Sequence, residues 1–443
     1  MKLIKAFPAR FRLQVQCLSA LGALTLAEAS AAPMQQAYVK ASHTNLAANF
    51  GSAVSLSLDF MVVGAQYEAS SSTGVNGNQN DVSATDAGAA YVFLRLGSNW
   101  TQQSYLKASN TGAGDEFGTS VAISGTTVAV GAPREDGSAT GVNGNQSGNS
   151  GTNSGAAYVF VLEGTNWIQQ AYVKPSNTRS LNIPGVGYIF GWSVAISGDT
   201  IVVGAPNESS NGIGVNGAQN NTNSYFSGAA YVFVRSGTNW SQQAYVKASN
   251  PDPQDKFGWR TAISGDTIVI GARQEASNAT GIDGNQNDNS AVFASAAYVF
   301  VRNGTNWSQQ SYVKASNTRA NNEFGWAVAV AGSTVVVGAW SESSNATGLN
   351  GDQSNSLTPA SGAVYVFSGF GTGPRLTLIP DGMSGQFVRF HGTAEVLYRV
   401  QRAINLLGPW ETMATLAGSG SGMMEFHDTM APAVQAFYRA ALP

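Results

Sequence analysis

The chain has 443 residues, so it is long enough for more than one domain, and only 11% of them are charged, against about 25% in ordinary globular proteins. The formal net charge is −3, which gives no basic footprint for nucleic acid, so we expect no nucleic-acid partner. Glycine, serine, asparagine and threonine separate short apolar runs, a pattern that predicts many short strands joined by polar turns.

Residues 1–32 differ in composition from the rest of the chain. An apolar stretch over 13–27 ends in small residues at 29–32, and basic residues precede it: Lys2, Lys5, Arg10 and Arg12. This order predicts a secretory signal peptide, with a frayed N-terminal helix of a cytosolic protein as the alternative. Cys17, the only cysteine, lies inside the segment. We therefore expect a secreted or cell-surface protein that has no disulfide and no membrane span after signal removal.

Residues 33–370 repeat one pattern five times. The Phe-Gly step recurs at intervals of 67, 73, 67 and 67 residues, beginning at Phe50, Phe117, Phe190, Phe257 and Phe324. One interval is longer because six residues are inserted between Lys174 and Phe190. A fixed period of this length indicates a repeat architecture.

Each repeat holds four strand-like runs, as residues 190–250 illustrate. The runs are 190–197, the continuous Ile-Val-Val segment of 200–205, and then 229–235 and 240–248. Four antiparallel strands repeated radially form a β-propeller blade. The expected fold class is therefore all-β, with a five-bladed β-propeller of four-stranded blades.

The phase of the repeats predicts closure into a ring. Residues 35–40 carry a fourth-strand sequence, whereas the fifth repeat stops after its third strand at 363–367. The chain start would supply the missing outer strand of the last blade and cover its open edge. The alternative is an open superhelical array of blades.

The segment Phe-Gly-Trp-Ser-Val-Ala-Ile-Ser-Gly-Asp-Thr-Ile-Val-Val-Gly-Ala-Pro at residues 190–206 resembles the FG-GAP repeat of integrin alpha-subunit propellers and of many bacterial extracellular proteins. The resemblance extends over all five repeats and implies a propeller, often one used in adhesion or ligand binding. Integrin-type repeats often carry a calcium loop of several carboxylates between their first two strands. Here that connection has shrunk to turns such as 197–200, with one carboxylate at most. We therefore expect no metal site and no cofactor.

Charged and aromatic positions also recur with the blades. A glutamate follows the second strand at Glu68, Glu135, Glu208, Glu275 and Glu342, and a lysine lies in the fourth strand at Lys40, Lys107, Lys174, Lys247 and Lys314. A glutamate ring could bind a cation or a ligand, but a residue present once per blade more often solves a packing problem common to all blades. Tryptophans expected in the blade cores are Trp100, Trp167, Trp240 and Trp307.

A long polar loop joins the second and third strands of every blade, and loops of this length are often functional. The loops and the insertion at 181–187 should lie on one face of the propeller, where amides could bind glycan hydroxyls or a peptide backbone. The candidate ligand-binding residues are Leu181, Ile183, Val186, Asn76, Gln79, Asn143, Gln146, Asn216, Gln219, Asp283, Gln286, Asn350 and Gln353. The alternative is that each loop folds on itself through Asn-Gly turns.

Residues 374–443 break the period, and six short strand-like stretches separated by Gly- and Pro-containing turns predict a small C-terminal β-sandwich. Its role could be sorting, surface attachment or spacing.

Catalysis finds little support in the sequence. The three histidines do not recur, and no nucleophile-base pair, metal-ligand motif or phosphate loop is present. We expect no catalytic residues and a binding or adhesion module, not an enzyme, whose partner is an extracellular glycan or protein. The alternatives are a polysaccharide-active lyase or hydrolase on a propeller scaffold, and a purely structural surface protein.

Overall fold

The structure is a computed structural model that describes residues 34–179, 186–371, 377–380, 386–391, 397–405, 408–417, 423–429 and 436–441. The regular elements within these residues are all strands. No helix in this part of the chain is long and apolar enough to cross a bilayer. The predicted signal peptide at 1–32 lies outside the described residues.

The strands of the repeat region occur in groups that follow the Phe-Gly period. In chain order they are β1 (Phe50–Ser57), β2 (Phe60–Ala65), β3 (Ala89–Leu96), β4 (Asn99–Leu106), β5 (Ser120–Ser124), β6 (Thr127–Ala132), β7 (Ala156–Glu163), β8 (Asn166–Val173), β9 (Ser193–Ser197), β10 (Thr200–Ala205), β11 (Ala229–Ser236), β12 (Asn239–Val246), β13 (Phe257–Ser264), β14 (Thr267–Ala272), β15 (Ala296–Asn303), β16 (Asn306–Val313), β17 (Phe324–Ala331), β18 (Thr334–Ala339) and β19 (Ala363–Phe367).

These strands form five antiparallel sheets in which each strand pairs with the next along the chain. Four sheets have four strands, β1–β4, β5–β8, β9–β12 and β13–β16, and the fifth has three, β17–β19. The all-β class and the five blades expected from the repeats are therefore confirmed, and the sheets fit a five-bladed propeller whose first and fifth blades leave their outward faces exposed.

In the second to fourth blades, the second strand is one of the two central strands of its sheet and is buried along its whole length. β10 pairs with β9 on one side and β11 on the other, and all six of its residues are buried. This burial on both faces explains its unbroken apolar sequence. The hairpin from β9 to β10 turns at Gly198, whose φ of 53° lies in the left-handed region that favours glycine.

The Phe-Gly and Gly-Ala steps mark the contact between consecutive blades. A Cβ atom on Gly204, at the end of β10, would lie 2.0 Å from the carbonyl oxygen of Gly258 in the next blade. Gly258 has a φ of 91°, and a Cβ there would meet the carbonyl oxygen of Ala229. Both positions require glycine, because the backbones of neighbouring blades touch here.

Apolar cores fill the space between neighbouring blades. Val202, Val232 and Val246 of the third blade pack against Phe257 and Tyr298 of the fourth. The same set recurs between the first and second, second and third, and fourth and fifth blades. The core therefore lies between the sheets, and a blade needs a neighbour on each side to bury both faces.

The predicted exchange of a strand between the chain start and the fifth blade is not observed. Residues 34–40 form no strand, and the described fifth sheet ends at β19. Val39 and Ala41 pack instead with Phe50 and Tyr91 in the first blade. The ends of the fourth strands pack in the same way against the blade that follows them, as Val246 and Ala248 do against Phe257. The prediction that the chain start joins the fifth blade of the same chain was therefore wrong.

The C-terminal strands are β20 (Thr377–Pro380), β21 (Gln386–His391), β22 (Leu397–Ala403), β23 (Glu411–Ala417), β24 (Met423–Asp428) and β25 (Phe437–Ala441). They form two three-stranded sheets, ordered β20-β21-β24 and β23-β22-β25. The two sheets share one core, to which Val388, Val400 and Met424 contribute. The small β-sandwich expected after the repeats is confirmed.

Candidate functional site

Four tryptophans lie side by side at one end of the third to fifth blades, three at the start of the first strands and one directly after the second strand β18. We call Trp192, Trp259, Trp326 and Trp340 the tryptophan row. The ring centroids of Trp192 and Trp259 are 4.8 Å apart, and those of Trp259 and Trp326 are 5.8 Å apart. Trp340 stacks on Trp326 at 4.8 Å and is 60% exposed, whereas the other three are partly buried. The row therefore offers an aromatic surface that ends in solvent.

The local strand geometry explains why these indoles leave the blade core. β13 pairs with β14 at Phe257 and resumes at Arg260, so Gly258 and Trp259 form a bulge. The same shift occurs in β17 around Trp326. A bulge re-aims side chains away from the regular alternation of a strand. Since the long loops leave from the ends of the second strands, the row lies at the same end of the blades as those loops.

An arginine lies across the middle of the row. The Arg273 guanidinium group is 4.5 Å from the Trp259 ring centroid and 4.4 Å from that of Trp326. It also forms an ion pair with Glu323 at 3.4 Å. A second guanidinium, of Arg260, lies 5.6 Å from the Trp259 ring, and burial together with Arg273 lowers its pKa. Two cations against one carboxylate leave the site positively charged.

Several hydrogen-bond donors of the tryptophan row and of the arginine across it have no partner within the described protein. They are Nε1 of Trp192, Nε1 of Trp259 and Nε of Arg273, and all three atoms are buried. Buried donors are normally paired, so unpaired ones mark a place where water or a ligand atom can accept a bond. Their position in one row makes this the strongest candidate site in the described part of the molecule.

A cleft of about 440 Å³ adjoins the row between the inner strands of the first four blades. Trp192 and Arg260 line one side, and the hydroxyl groups of Thr119, Ser120 and Thr261 line others. Indole faces pack against apolar sugar faces or aromatic groups, and arginine and hydroxyl groups bond to hydroxyls and carboxylates. The site thus combines stacking with polar recognition.

In four of the long loops, the candidate asparagine or aspartate is bonded to the fourth strand of its own blade. The Asn216 N–H donates to the Tyr245 carbonyl at 2.7 Å, and the Tyr245 N–H donates to Asn216 Oδ1 at 2.9 Å. The equivalent pairs are Asn76 with Tyr105, Asn143 with Tyr172 and Asp283 with Tyr312. The fifth blade has no described fourth strand for Asn350.

The loop glutamines are bonded to the connector that enters their blade. Gln219 Oε1 accepts a hydrogen bond from the Ser176 hydroxyl at 2.8 Å, and Gln353 accepts one from Ser316 at 2.8 Å. The other pairs are Gln79 with Ser42, Gln146 with Ser109 and Gln286 with Ser249. These bonds join each loop to the connector and to the fourth strand, which differs from the alternative that the loop folds on itself, and the ligand-binding role of the loop residues stays a prediction.

The insertion at 181–187 is described only at its end. Leu181 and Ile183 lie outside the described residues, whereas Val186 is partly buried. Tyr188, directly after the insertion, is fully buried. The role predicted for the insertion stays a prediction.

The loop carboxylates are bonded to serines. Hydrogen bonds from Ser71 lower the pKa of the exposed Asp81, and hydrogen bonds from Ser290 lower that of Asp288. Among the residues that the structure describes, no group of three or more His, Cys, Asp or Glu side chains is placed to hold a metal ion.

The recurring glutamates and lysines meet inside the blades. Lys247 Nζ lies 2.9 Å from Glu208 Oε2, and both side chains are fully buried. Burial lowers the pKa of Lys247, although Glu208 acts in the opposite direction. Tyr245 and Asn177 also donate to Glu208. Equivalent ion pairs are Glu68 with Lys107, Glu135 with Lys174 and Glu275 with Lys314. The geometry matches the structural role favoured for these charges.

Sequence reasoning missed the tryptophan row, although a signal was present. A tryptophan follows the Phe-Gly step in three consecutive repeats, whereas Ser52 and Thr119 hold that position in the first two. An aromatic residue that recurs beside a required bulge glycine is a candidate for an outward-facing site. Arg273 and Trp340 give no such signal, because they lie in the turns that follow β14 and β18.

Comparison with known families gives one match. A family model described as the FG-GAP repeat matches residues 33–93, 100–160, 187–233, 240–300 and 307–367, more than half of the chain. All five matched segments end in a third strand, and the second, fourth and fifth begin in a fourth strand. No curated protein matches the chain.

Proposed function

Because the chain belongs to the FG-GAP repeat family, we propose that it is an extracellular binding module that recognises a glycan through the tryptophan row. The family supplies a propeller scaffold that is often used for binding. A scaffold does not fix a function, so the proposal depends on the chemistry of the site.

The observation that carries the proposal is the set of stacked indoles with two arginines and buried donors that lack a partner. Sugar rings present apolar C–H faces and peripheral hydroxyls, which indoles and arginines bind respectively. The excess positive charge of Arg260 and Arg273 over Glu323 favours a glycan that carries carboxylates. The cleft beside Trp192 provides room for a second sugar unit.

Export is part of the proposal. It is supported by the basic-then-apolar order of residues 1–32, which is typical of a signal peptide. N-terminal sequencing of protein recovered outside the cytoplasm would test it. We expect cleavage after the small residues at 29–32, and an intact Met1 on exported protein would contradict the signal-peptide assignment.

The binding proposal can be tested on an array of neutral and acidic glycans, followed by titration of the retained ligands. We expect Trp340→Ala to weaken binding roughly tenfold, because it removes one stacking face. The melting temperature should stay near that of the parent, since Trp340 is mostly exposed.

Leu349→Ala is the matched control, because Leu349 is an exposed side chain on the long loop of the same blade. It should bind like the parent. Equal affinity of the parent, Trp340→Ala and Trp326→Ala would place the site elsewhere, with the loop residues Asn216 and Gln219 tested next. Glycan recovered in shortened form would point to a polysaccharide-active enzyme.

A further inference from the structure

The outward face of the fifth blade is exposed in the described structure. Val364 and Val366 of β19 occupy the positions that Ala297 and Val299 occupy in the fourth blade. Val299 is 0% exposed because it packs against the fifth blade, whereas Val366 is 68% exposed. The fifth blade therefore carries half of an inter-blade core without the other half.

The opposite face of the first blade is exposed in the same way. Val54 and Leu56 of β1 correspond to Val121 and Ile123, which are buried between the first and second blades. Val54 is 67% exposed. In the interior of the array, a face of this kind packs against a face of the kind that the fifth blade leaves exposed. The two faces thus match by repeat, and within one chain they do not cover each other.

The strand edges show the same complementarity. β19 is a third strand whose outer edge has no strand partner among the described residues. Residues 35–40, Gln-Gln-Ala-Tyr-Val-Lys, repeat the pattern of residues 102–107 in the fourth strand β4, and no strand forms there. Within the described residues, the fifth blade therefore ends without an outer strand, and the segment with an outer-strand sequence forms no strand.

The charged residues at the two ends of the repeat array are complementary as well: a buried glutamate at one end and an exposed lysine at the other. Glu342 is 2% exposed and accepts hydrogen bonds from Asn317 and Ser344, yet it has no lysine partner in the described chain. Lys40, at the lysine position of the repeat, is exposed. Tyr38, whose equivalents Tyr172 and Tyr245 donate to their blade glutamates, is exposed too.

The glycine contacts leave space at both faces. A Cβ on Gly271 would lie 2.2 Å from the Gly325 carbonyl oxygen, whereas one on Gly338 would meet no atom closer than 3.4 Å. A Cβ on Gly51 would meet nothing within 4 Å. The backbone of another first blade can therefore approach Gly338 as Gly325 approaches Gly271.

We propose that the fifth blade of one copy of this chain binds the first blade of a second copy, head to tail. Residues 35–40 of the second copy pair with β19 of the first, and Lys40 reaches Glu342 as Lys247 reaches Glu208. The contact is heterologous, so it generates a closed ring of copies or a filament. At one interior position Ser264 accepts a bond from the Gly332 N–H. At the proposed contact between copies, Ala331 stands at the position of Ser264 and Leu58 of the second copy at that of Gly332. An apolar contact would replace the hydrogen bond there.

Sedimentation velocity of the full chain over a concentration series tests the association. We expect the sedimentation coefficient of the parent to rise with concentration. Val364→Asp/Val366→Asp, which blocks the fifth-blade face, should lose that rise and keep its melting temperature, because both side chains are exposed. Lys40→Glu, a change at an exposed residue of the other end, should lose it as well.

Mixing two blocked variants distinguishes head-to-tail binding from other modes. Val54→Asp/Leu56→Asp blocks only the first-blade face, so it should be monomeric alone, like Val364→Asp/Val366→Asp. A one-to-one mixture of the two should form a dimer and nothing larger, because each supplies the face that the other keeps.

Two results would overturn the proposal. A parent that stays monomeric up to its solubility limit would show that one chain satisfies both faces or that neither binds. A mixture of blocked variants that stays monomeric, while the parent associates, would show a contact through another surface.

Discussion

The fourth and fifth blades are built from nearly the same sequence but have different surroundings. Val299 in the fourth blade is buried by its neighbour, and Val366 at the same position in the fifth is exposed. Gly271 touches the backbone of the next blade, and Gly338 touches none. Burial in this array is therefore a property of the interface between blades and not of the repeat alone.

The polar interior shows the same contrast. In the third blade Glu208 is satisfied by Lys247, Tyr245 and Asn177, all of them buried or nearly so. In the fifth blade Glu342 keeps the asparagine bond from Asn317, but among the described residues no lysine or tyrosine of a fourth strand bonds to it. Matched substitutions in interior and terminal blades test this contrast, with stability measured on dilute protein.

The largest effect is expected at the buried ion pair. Lys247→Met keeps most of the side-chain volume but leaves Glu208 without its cation, which should cost about 3–5 kcal/mol. Lys40→Met removes an exposed lysine and should stay within about 0.5 kcal/mol of the parent. Urea unfolding measures both. A loss below about 1 kcal/mol for Lys247→Met would show that the pair contributes little.

The glycine contact gives the next effect. Gly271→Ala places a methyl group 2.2 Å from a backbone oxygen of the next blade, so we expect a loss of about 1–3 kcal/mol or more. Gly338→Ala, at the same position of the fifth blade, should be nearly neutral because the nearest atom is 3.4 Å away. Thermal unfolding of the two variants checks this difference. Equal destabilisation would mean that Gly338 is also covered in the dilute monomer.

A buried carboxyl group in the fourth blade, which the fifth blade lacks at the same position, should make stability depend on pH. Burial raises the pKa of Asp255 to about 8, and Glu275 adds to the shift, whereas Asn322 holds this position in the fifth blade. An unfolded aspartate ionises near pH 3.9. The native state therefore holds a proton that the unfolded state releases between about pH 4 and 8, so stability should fall as the pH rises through this window.

Asp255→Asn removes that proton linkage. Its stability relative to the parent should increase with pH by at most about 1.4 kcal/mol per unit within the window, and remain constant above it. Unfolding curves at several pH values measure the slope. Asn322→Asp should introduce the same slope in the fifth blade, and a pH-independent difference for both variants would contradict the assignment.

The smallest effect is expected in the long loops. Asn216→Ala removes the acceptor of the Tyr245 N–H bond and should cost about 1 kcal/mol, whereas Asn350 has no fourth strand to bind within the part of the chain that the structure describes. Both asparagines have a φ of 55°, so the backbone strain introduced by alanine is common to the two variants and cancels. Unfolding free energies compare them. Equal losses would show that the strain, and not the hydrogen bond, dominates.

The tryptophan row and the blade fold differ in how far the sequence predicts them. The strands follow from local patterns: the Ile-Val-Val run of β10 and the turn at Gly198 lie within a few residues of each other. The tryptophan row joins Trp192, Trp259 and Trp326, each 67 residues from the next, and no local pattern states that their rings meet. Arg273 joins them from the turn after β14, which only the packed blades reveal.

The sequence by itself determined the period, the number of blades, the four-strand meander and the glycines at the contacts, because hydrophobic alternation and turn chemistry act over a few residues. Only the tertiary structure decided which faces stay open and where the chain start packs. The reason is physical: the relative position of the first and fifth blades is the sum of four small rotations between neighbours, and each rotation is set by side-chain packing at an interface. Val54 and Val366 therefore carry core sequences at positions that the array leaves exposed.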